Sequence, residues 1–336
     1  MPDTPDTPDL FGGPPAARPS RRPVGTAPVL LEPPPALSSA RRSRLFLGTS
    51  SWSFPGWAGL VWDATAPESL LAREGLPAYA RHPLLNAVGI DRGFYAPLAT
   101  DAYAHYAAQV PEDFRFLVKA PGIVTDASVR DRGGAGVAAN TSHLDVALAV
   151  ESFVRPCIEG LGDKAGVLLF QFSPLPREWL AAPAGWMTRL AAFLAGLPTG
   201  PRYAVEIRDP ALLTPRLMHA LADAGVAYAI GLHDRMPPVD RQLRALDASE
   251  ARAGAPMPLV VRWTLHRGVG YMEAKERYAP FDRLVDEDPA TRGPLAARIA
   301  ETLDAGRSVF VIANNKAEGS APLTLLRLAQ AVAQAR

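Results

Sequence analysis

The chain has 336 residues, of which 48% are hydrophobic, so it can bury a large core in one or two domains. Its formal net charge is +1, which excludes a global field that would attract nucleic acid or an anionic membrane. The single cysteine, Cys157, cannot form an intrachain disulfide. No apolar stretch approaches the roughly 18 residues of a membrane span, and no secretory signal pattern opens the chain. These features predict a cytoplasmic protein.

Residues 1–43 are rich in proline, small residues and charged residues. Such a composition buries too little apolar surface to offset the entropy lost on ordering, so we predict a disordered tail. We expect residues 44–336 to form a single domain. Within the tail, Leu10 and Phe11 loosely resemble the Leu-Phe peptides that bind the bacterial DNA sliding clamp, although the usual leading Gln is missing. A solvated tail with a chance Leu-Phe pair is the alternative.

Eight short apolar runs alternate with segments of helical spacing from residue 44 onward. Several runs are rich in Val, Ile and Phe, as strands buried on both faces should be. The runs span residues 45–50, 87–91, 114–119, 166–172, 203–208, 227–232, 259–265 and 308–314. The main helical segments span 101–109, 142–159, 178–197, 214–224, 295–305 and 321–333. Eight strand–helix units predict an α/β fold that closes into a (β/α)₈ TIM-type barrel, with an open doubly wound sheet as the alternative.

The alternation within each strand predicts which side chains point into the barrel. Apolar residues such as Val205 and Ile207 should pack against the helices, so Glu206 and Arg208 should point inward. Because ligands bind where the parallel strands of such a barrel end, inward polar residues at that end are candidates for a site. The predicted inward set is Asp91, Lys119, Gln171, Glu206, Arg208, Arg262 and Asn314.

Three cations and two carboxylates in this set favour an anionic ligand such as a phosphate or a carboxylate. Glu206 is the first candidate for general acid/base catalysis, and Lys119, Asp91 and His266 are further catalytic candidates. The candidate ligand-binding residues are Arg208, Arg262, Gln171, Asn314, Asn315, Tyr95 and Trp52. A lattice of salt bridges that merely fills the barrel end is the alternative without chemistry.

A divalent metal site is a further alternative, and the sequence contains no cofactor motif, P-loop or dinucleotide fingerprint. The side chains that could ligate a metal are His143, His233, His266, Glu206, Asp234 and Glu318, and their spacing matches no tight ligand motif. His266 also opens a long loop, and loops of this length in compact domains are often lids. The loop that contains Trp52 is rich in aromatic residues and could wall a pocket.

Six ordered motifs resemble the YecE-like family, the domain of unknown function 72. They are Gly48-Thr49-Ser50-Ser51-Trp52-Ser53, Asp91-Arg92-Gly93-Phe94-Tyr95, Val118-Lys119-Ala120-Pro121, Leu168-Leu169-Phe170-Gln171-Phe172-Ser173-Pro174, Ala204-Val205-Glu206-Ile207-Arg208 and Asn314-Asn315-Lys316-Ala317-Glu318-Gly319. The resemblance covers about residues 45–328 and implies a TIM-type barrel, but it assigns no reaction and no catalytic residues. Many relatives have a Glu where this chain has Gly89, and an acid where it has Lys316, so this pocket should be less negative.

Three functions are compatible with these features. The first is an acid/base enzyme, a hydrolase, lyase or isomerase, that acts on a small anionic molecule. The second is a metal-dependent phosphodiesterase or a nucleic-acid repair protein, for which the basic clusters at residues 18–22 and 41–44 and the Leu-Phe pair offer slight support. The third is a non-catalytic anion-binding module. The barrel alone cannot choose among them, because one fold hosts many reactions.

Overall fold

The computed structural model describes residues 24–27, 31–130 and 136–335. Ten strands lie in these ranges: β1 (Leu45–Thr49), β2 (Ala87–Ile90), β3 (Arg115–Lys119), β4 (Ser128–Arg130), β5 (Gly136–Ala139), β6 (Ala165–Gln171), β7 (Tyr203–Glu206), β8 (Ala227–Leu232), β9 (Leu259–Trp263) and β10 (Val309–Ala313). Eight of them form a closed barrel in the order β1-β10-β9-β8-β7-β6-β3-β2, and every neighbouring pair is parallel. The predicted TIM-type barrel is confirmed, and the open doubly wound sheet is wrong. Strands β4 and β5 pair antiparallel outside the barrel and were not predicted.

The helices fill the connections between the strands. They are α1 (Ser39–Arg42), α2 (Glu68–Glu74), α3 (Leu76–Tyr79), α4 (Thr100–Ala107), α5 (Gly122–Thr125), α6 (Val146–Ala149), α7 (Arg155–Leu161), α8 (Arg177–Ala181), α9 (Ala184–Ala195), α10 (Pro215–Asp223), α11 (Val239–Glu250), α12 (Tyr271–Tyr278), α13 (Pro289–Asp304) and α14 (Ala321–Gln334). A π-helical turn, Val150–Val154, joins α6 to α7. Thr214 caps α10 and Asp145 caps α6, because each side chain accepts a hydrogen bond from the backbone amide three residues later. No helix in the described ranges has the length and apolar content to cross a membrane.

Two separate apolar clusters confirm the predicted strand alternation. Outward-facing residues such as Phe116 and Val205 pack with the helices in one large cluster. Inward-facing residues such as Leu117, Leu169 and Ile312 form a smaller cluster in the barrel interior. This apolar layer fills the barrel interior below its carboxyl end. The inward-facing polar residues that follow it along the strands therefore lie above a layer that excludes water.

Part of the predicted disordered tail packs on the barrel instead. Thr26 forms a bridge with Trp62, and the Ala27 amide donates to the Val61 carbonyl at 2.9 Å. Leu37 is buried, and Arg41 in α1 forms an ion pair of 2.6 Å with Asp304. The sequence did not indicate these contacts, because each is made by a single residue within a proline-rich segment. Residues 1–23 and 28–30, with the Leu10-Phe11 pair, lie outside the described residues.

Candidate functional site

A chain of ion pairs crosses the carboxyl end of the barrel. Glu206, the last residue of β7, is completely buried, and its Oε1 lies 2.6 Å from Arg208 Nη2. Its Oε2 lies 3.9 Å from Arg262 Nε, and Arg262 donates two hydrogen bonds to Asp91 at 3.0 and 3.1 Å. The predicted convergence of these four side chains is thus present. We call Asp91, Lys119, Glu206, Arg208 and Arg262 the charged cluster.

Glu206 lies close to two arginines but is not held by well-oriented hydrogen bonds. Among the described residues, neither of its oxygens makes a hydrogen bond of good geometry. A buried carboxylate oxygen normally accepts at least one hydrogen bond, because desolvation is costly otherwise. Glu206 therefore retains lone pairs that can accept a proton or a hydrogen bond from a ligand.

Lys119, the last residue of β3, has a strongly altered proton affinity. Burial lowers its pKa to about 8, although the negative charge of Asp91 opposes that effect. Its Nζ lies 3.6 Å from the centre of the Phe94 ring, which gives the ammonium a partner that cannot accept its proton. A lysine with this pKa can both release and take up a proton near neutral pH.

Asp91 remains a carboxylate in this setting. Burial acts to raise its pKa, but the charge and the hydrogen bonds of Arg262 outweigh that effect and hold the pKa below its usual value. Within the charged cluster, Asp91 is therefore a fixed negative charge, whereas Lys119 is a group that titrates near neutral pH.

The charged cluster borders two cavities. The larger, which we call the main cavity, measures about 580 Å³ and is lined by Gln171, Ser173, Pro174, Arg208, His233, Asp234, Arg235, Leu265 and Tyr271. The smaller, which we call the Trp52 cavity, measures about 170 Å³, and Trp52 and Asp91 are among its lining residues. Gln171 Oε1 lies 3.3 Å from Arg208 Nη2 and helps to hold that guanidinium at the edge of the main cavity.

The two asparagines that follow β10 have contacts within the protein. Asn314 Oδ1 accepts hydrogen bonds from the Lys316 amide at 3.1 Å and from Lys316 Nζ at 3.3 Å. Asn315 is buried, and its Oδ1 accepts from Trp57 Nε1 at 3.0 Å and from the Ala321 amide at 2.9 Å. Asn315 thereby links the aromatic first loop to the start of α14.

Tyr95 and His266 border neither the main cavity nor the Trp52 cavity. The Tyr95 side chain is 88% exposed and contacts the edge of Phe94. His266 Nδ1 lies 2.9 Å from the Arg267 carbonyl, and neither cavity described above is lined by His266. Both residues are in loops, where strand alternation gives no information about direction.

The predicted metal ligands do not assemble into one group. In the ranges that the structure describes, no three His, Cys, Asp or Glu side chains gather around a common point. His143 is buried, its Nε2 accepts from Trp186 Nε1 at 3.0 Å, and burial lowers its pKa to about 4. His233 pairs with Asp234 beside the main cavity, while Glu318 Oε1 is bound by Arg292 and by the Asp288 amide.

Three polar residues that line the main cavity were not predicted. Ser173 and Arg235 lie in the loops after β6 and β8, and Tyr271 is the first residue of α12, which follows β9. Lys316 Nζ lies 4.4 Å from the centre of the Tyr271 ring. Arg235 follows the His233-Asp234 pair just after β8. This position near the carboxyl end of a strand was the feature of the sequence from which its place in the cavity could have been predicted.

The comparisons with known proteins agree with the barrel. A DUF72 family protein of Thermotoga maritima MSB8 has 21% identity and a TM-score of 0.56, with coverage of 85% of this chain and 98% of that chain. A DUF72 family protein of Enterococcus faecalis V583 has 18% identity and a TM-score of 0.56, with coverage of 86% and 95%. No curated protein matches the sequence. A family model described as "Protein of unknown function DUF72" matches residues 46–336, so this chain belongs to the DUF72 family.

Proposed function

We propose that this protein is an acid/base enzyme, of the hydrolase, lyase or isomerase type, that acts on a small anionic molecule at the carboxyl end of the barrel. The observation that carries the proposal is the Glu206–Arg208 pair. A fully buried carboxylate without a well-formed hydrogen bond lies 2.6 Å from a guanidinium that lines a cavity of about 580 Å³. Such an arrangement lowers the stability of the fold, and proteins retain destabilising arrangements of this kind mainly at functional sites.

Arg208 is the residue that would bind the anionic group. Its other contacts are long: Nη1 lies 3.5 Å from Thr264 Oγ1, and Nη2 lies 3.3 Å from Gln171 Oε1. Its N–H groups therefore have capacity for a phosphate or a carboxylate, which a guanidinium binds in a bidentate manner. Arg235 lines the same cavity and adds a second positive charge.

Glu206 and Lys119 would carry the proton transfers. An anion that binds Arg208 competes with Glu206 for that guanidinium, so the carboxylate oxygens become available to accept a proton from the ligand. In the proposed step, Glu206 accepts a proton from the substrate, and the Lys119 ammonium donates one to the product. The pKa of about 8 for Lys119 suits this role, because a proton donor works best when its pKa is near the ambient pH.

Anion binding is tested first, with inorganic phosphate and a panel of small phosphorylated and carboxylated metabolites as ligands in calorimetry. Arg208→Gln should weaken binding by about 10- to 100-fold, because it removes a charge-assisted contact. Arg252→Gln is the matched control, since Arg252 forms an exposed ion pair with Asp223 away from both cavities. Binding that is equal in the wild type and in Arg208→Gln would contradict the anion site.

Catalysis is separated from binding by Glu206→Gln. This change removes a negative charge beside Arg208, so anion affinity should be kept or increased while turnover of the best ligand is lost. If turnover survives in Glu206→Gln, the assigned base is wrong. If no ligand turns over in the wild type and only stability responds to the substitution, the protein is an anion-binding module instead.

A further inference from the structure

We infer that the substrate carries several hydroxyl groups next to its anionic group, and that the Trp52 cavity binds them. This inference rests on the proposed function and names the substrate class for the same site: a phosphorylated or carboxylated polyol, including a sugar. The wall of the Trp52 cavity, which differs in chemistry from that of the main cavity, supports this substrate class.

The wall of the Trp52 cavity is dense in hydroxyl groups. It is formed by Ser50, Ser51, Trp52, Ser53, Ala72, Gly89, Ile90, Asp91, Arg92 and Tyr106. The Ser51 and Ser53 hydroxyls lie 3.1 Å apart, and either can donate to the other. The Tyr106 hydroxyl accepts from Arg92 Nη1 at 2.9 Å, so its own proton stays available for donation. The wall thus offers both donors and acceptors, as a ligand hydroxyl requires.

Asp91 supplies the strongest acceptor in this wall. Each of its carboxylate oxygens accepts one hydrogen bond from Arg262, and its side chain is 35% exposed. A carboxylate oxygen has two lone pairs, so each can accept a second bond. The negative charge of Asp91 disfavours an anionic ligand group at this wall, while the positive charges of Arg92 and Arg262 disfavour a cationic one. A neutral hydroxyl donor satisfies both conditions.

Trp52 limits the shape of the ligand. Its indole N–H donates to the Ala72 carbonyl at 3.3 Å, and its ring packs edge-on against Tyr106 with 5.5 Å between centroids. With the N–H already used, the ring offers only apolar surface, which suits the C–H groups of a polyol. A volume of 170 Å³ corresponds to about six water molecules, enough for a short hydroxylated chain but not for a nucleoside.

The charged cluster connects the two cavities. Asp91 borders the Trp52 cavity, Arg208 borders the main cavity, and Arg262 and Glu206 lie between them as successive ion pairs. A ligand with its anionic group on Arg208 and its hydroxyl groups towards Asp91 would therefore span the ion pairs that Arg262 and Glu206 form between the two cavities.

The experiment compares two phosphates of equal chain length by calorimetry on the full chain: sorbitol 6-phosphate and hexyl phosphate. Sorbitol 6-phosphate should bind at least about tenfold more tightly, because hydrogen bonds to the cavity wall add to the shared phosphate contact. The double variant Ser51→Ala, Ser53→Ala should reduce that ratio and leave hexyl phosphate unchanged. Ser39→Ala, an exposed serine of α1, is the matched control.

The outcomes distinguish this inference from the proposed function. Equal affinity of the two phosphates, each lost in Arg208→Gln, overturns the polyol site and leaves the anion site intact. Absence of binding by either phosphate overturns both. A double variant that weakens both ligands equally also contradicts the inference. The comparison of ligands uses the unaltered protein, so a variant that failed to fold would not remove the test.

Discussion

Arg262 on β9 holds Asp91 at the end of β2 with two parallel hydrogen bonds, Nη1–Oδ1 at 3.0 Å and Nη2–Oδ2 at 3.1 Å. The two strands are separated in the barrel order by β10 and β1, so the pair spans one side of the barrel end. Arg262 is also within 3.9 Å of Glu206. This guanidinium therefore positions both carboxylates of the charged cluster.

Asp91→Asn should destabilise the fold by about 2 kcal/mol, because it leaves the Arg262 guanidinium, only 4% exposed, with Glu206 as its remaining charge partner. The partial exposure of Asp91 keeps this cost below that of breaking a fully buried pair. Urea unfolding measures it. Asp223→Asn, which breaks the exposed pair with Arg252, is the control and should cost less than about 1 kcal/mol. Equal costs for the two variants would show that the Arg262 pair is not buried in solution.

Lys119→Met should be more stable than the wild type at pH 7, and that advantage should shrink as the pH rises. Lys119 has a folded-state pKa of about 8, against 10.5 for the unfolded chain. Between these values the unfolded state binds more protons than the folded state, so the free energy of unfolding of the wild type rises with pH. Between pH 8 and 10.5 the free energy of unfolding of the wild type should rise by about 3 kcal/mol from this effect.

The measurement for Lys119 is the difference in the free energy of unfolding between the two proteins from pH 7 to 10.5. Taking the difference cancels the titration of groups that both proteins share. A difference that does not change with pH in this window would mean that the pKa of Lys119 is not depressed.

Glu318→Gln should cost about 3 kcal/mol, because Glu318 is completely buried and its Oε1 accepts from Arg292 Nη2 and the Asp288 amide, each at 2.6 Å. Glu287→Gln is a closely matched control. Glu287 pairs with the same arginine at 3.0 Å, but its side chain is 46% exposed, so we expect a loss below about 1 kcal/mol. Thermal unfolding of both variants checks the difference. A loss as large in Glu287→Gln would mean that burial does not set the strength of these pairs.

The barrel and its inward residues could be predicted because strand alternation is a local rule. Val205 and Ile207 pack outward, so Glu206 and Arg208 must share the opposite side, and neighbouring strands place Gln171 beside Glu206 in register. The residues of the loops could not be predicted in this way. Tyr95 points to solvent and Asn315 points into the protein because their directions depend on contacts distant in the chain.

By itself, the sequence determined the eight parallel strands, their closure and the collection of charges at one end, since the period of apolar residues is encoded within each short segment. Tertiary structure decided which charges pair, that the predicted metal ligands in the described ranges form no common site, and that two cavities border the charged cluster. These outcomes depend on distances between residues far apart in the chain. Asp91 and Arg262 are 171 positions apart, and only closure of the barrel brings them into contact.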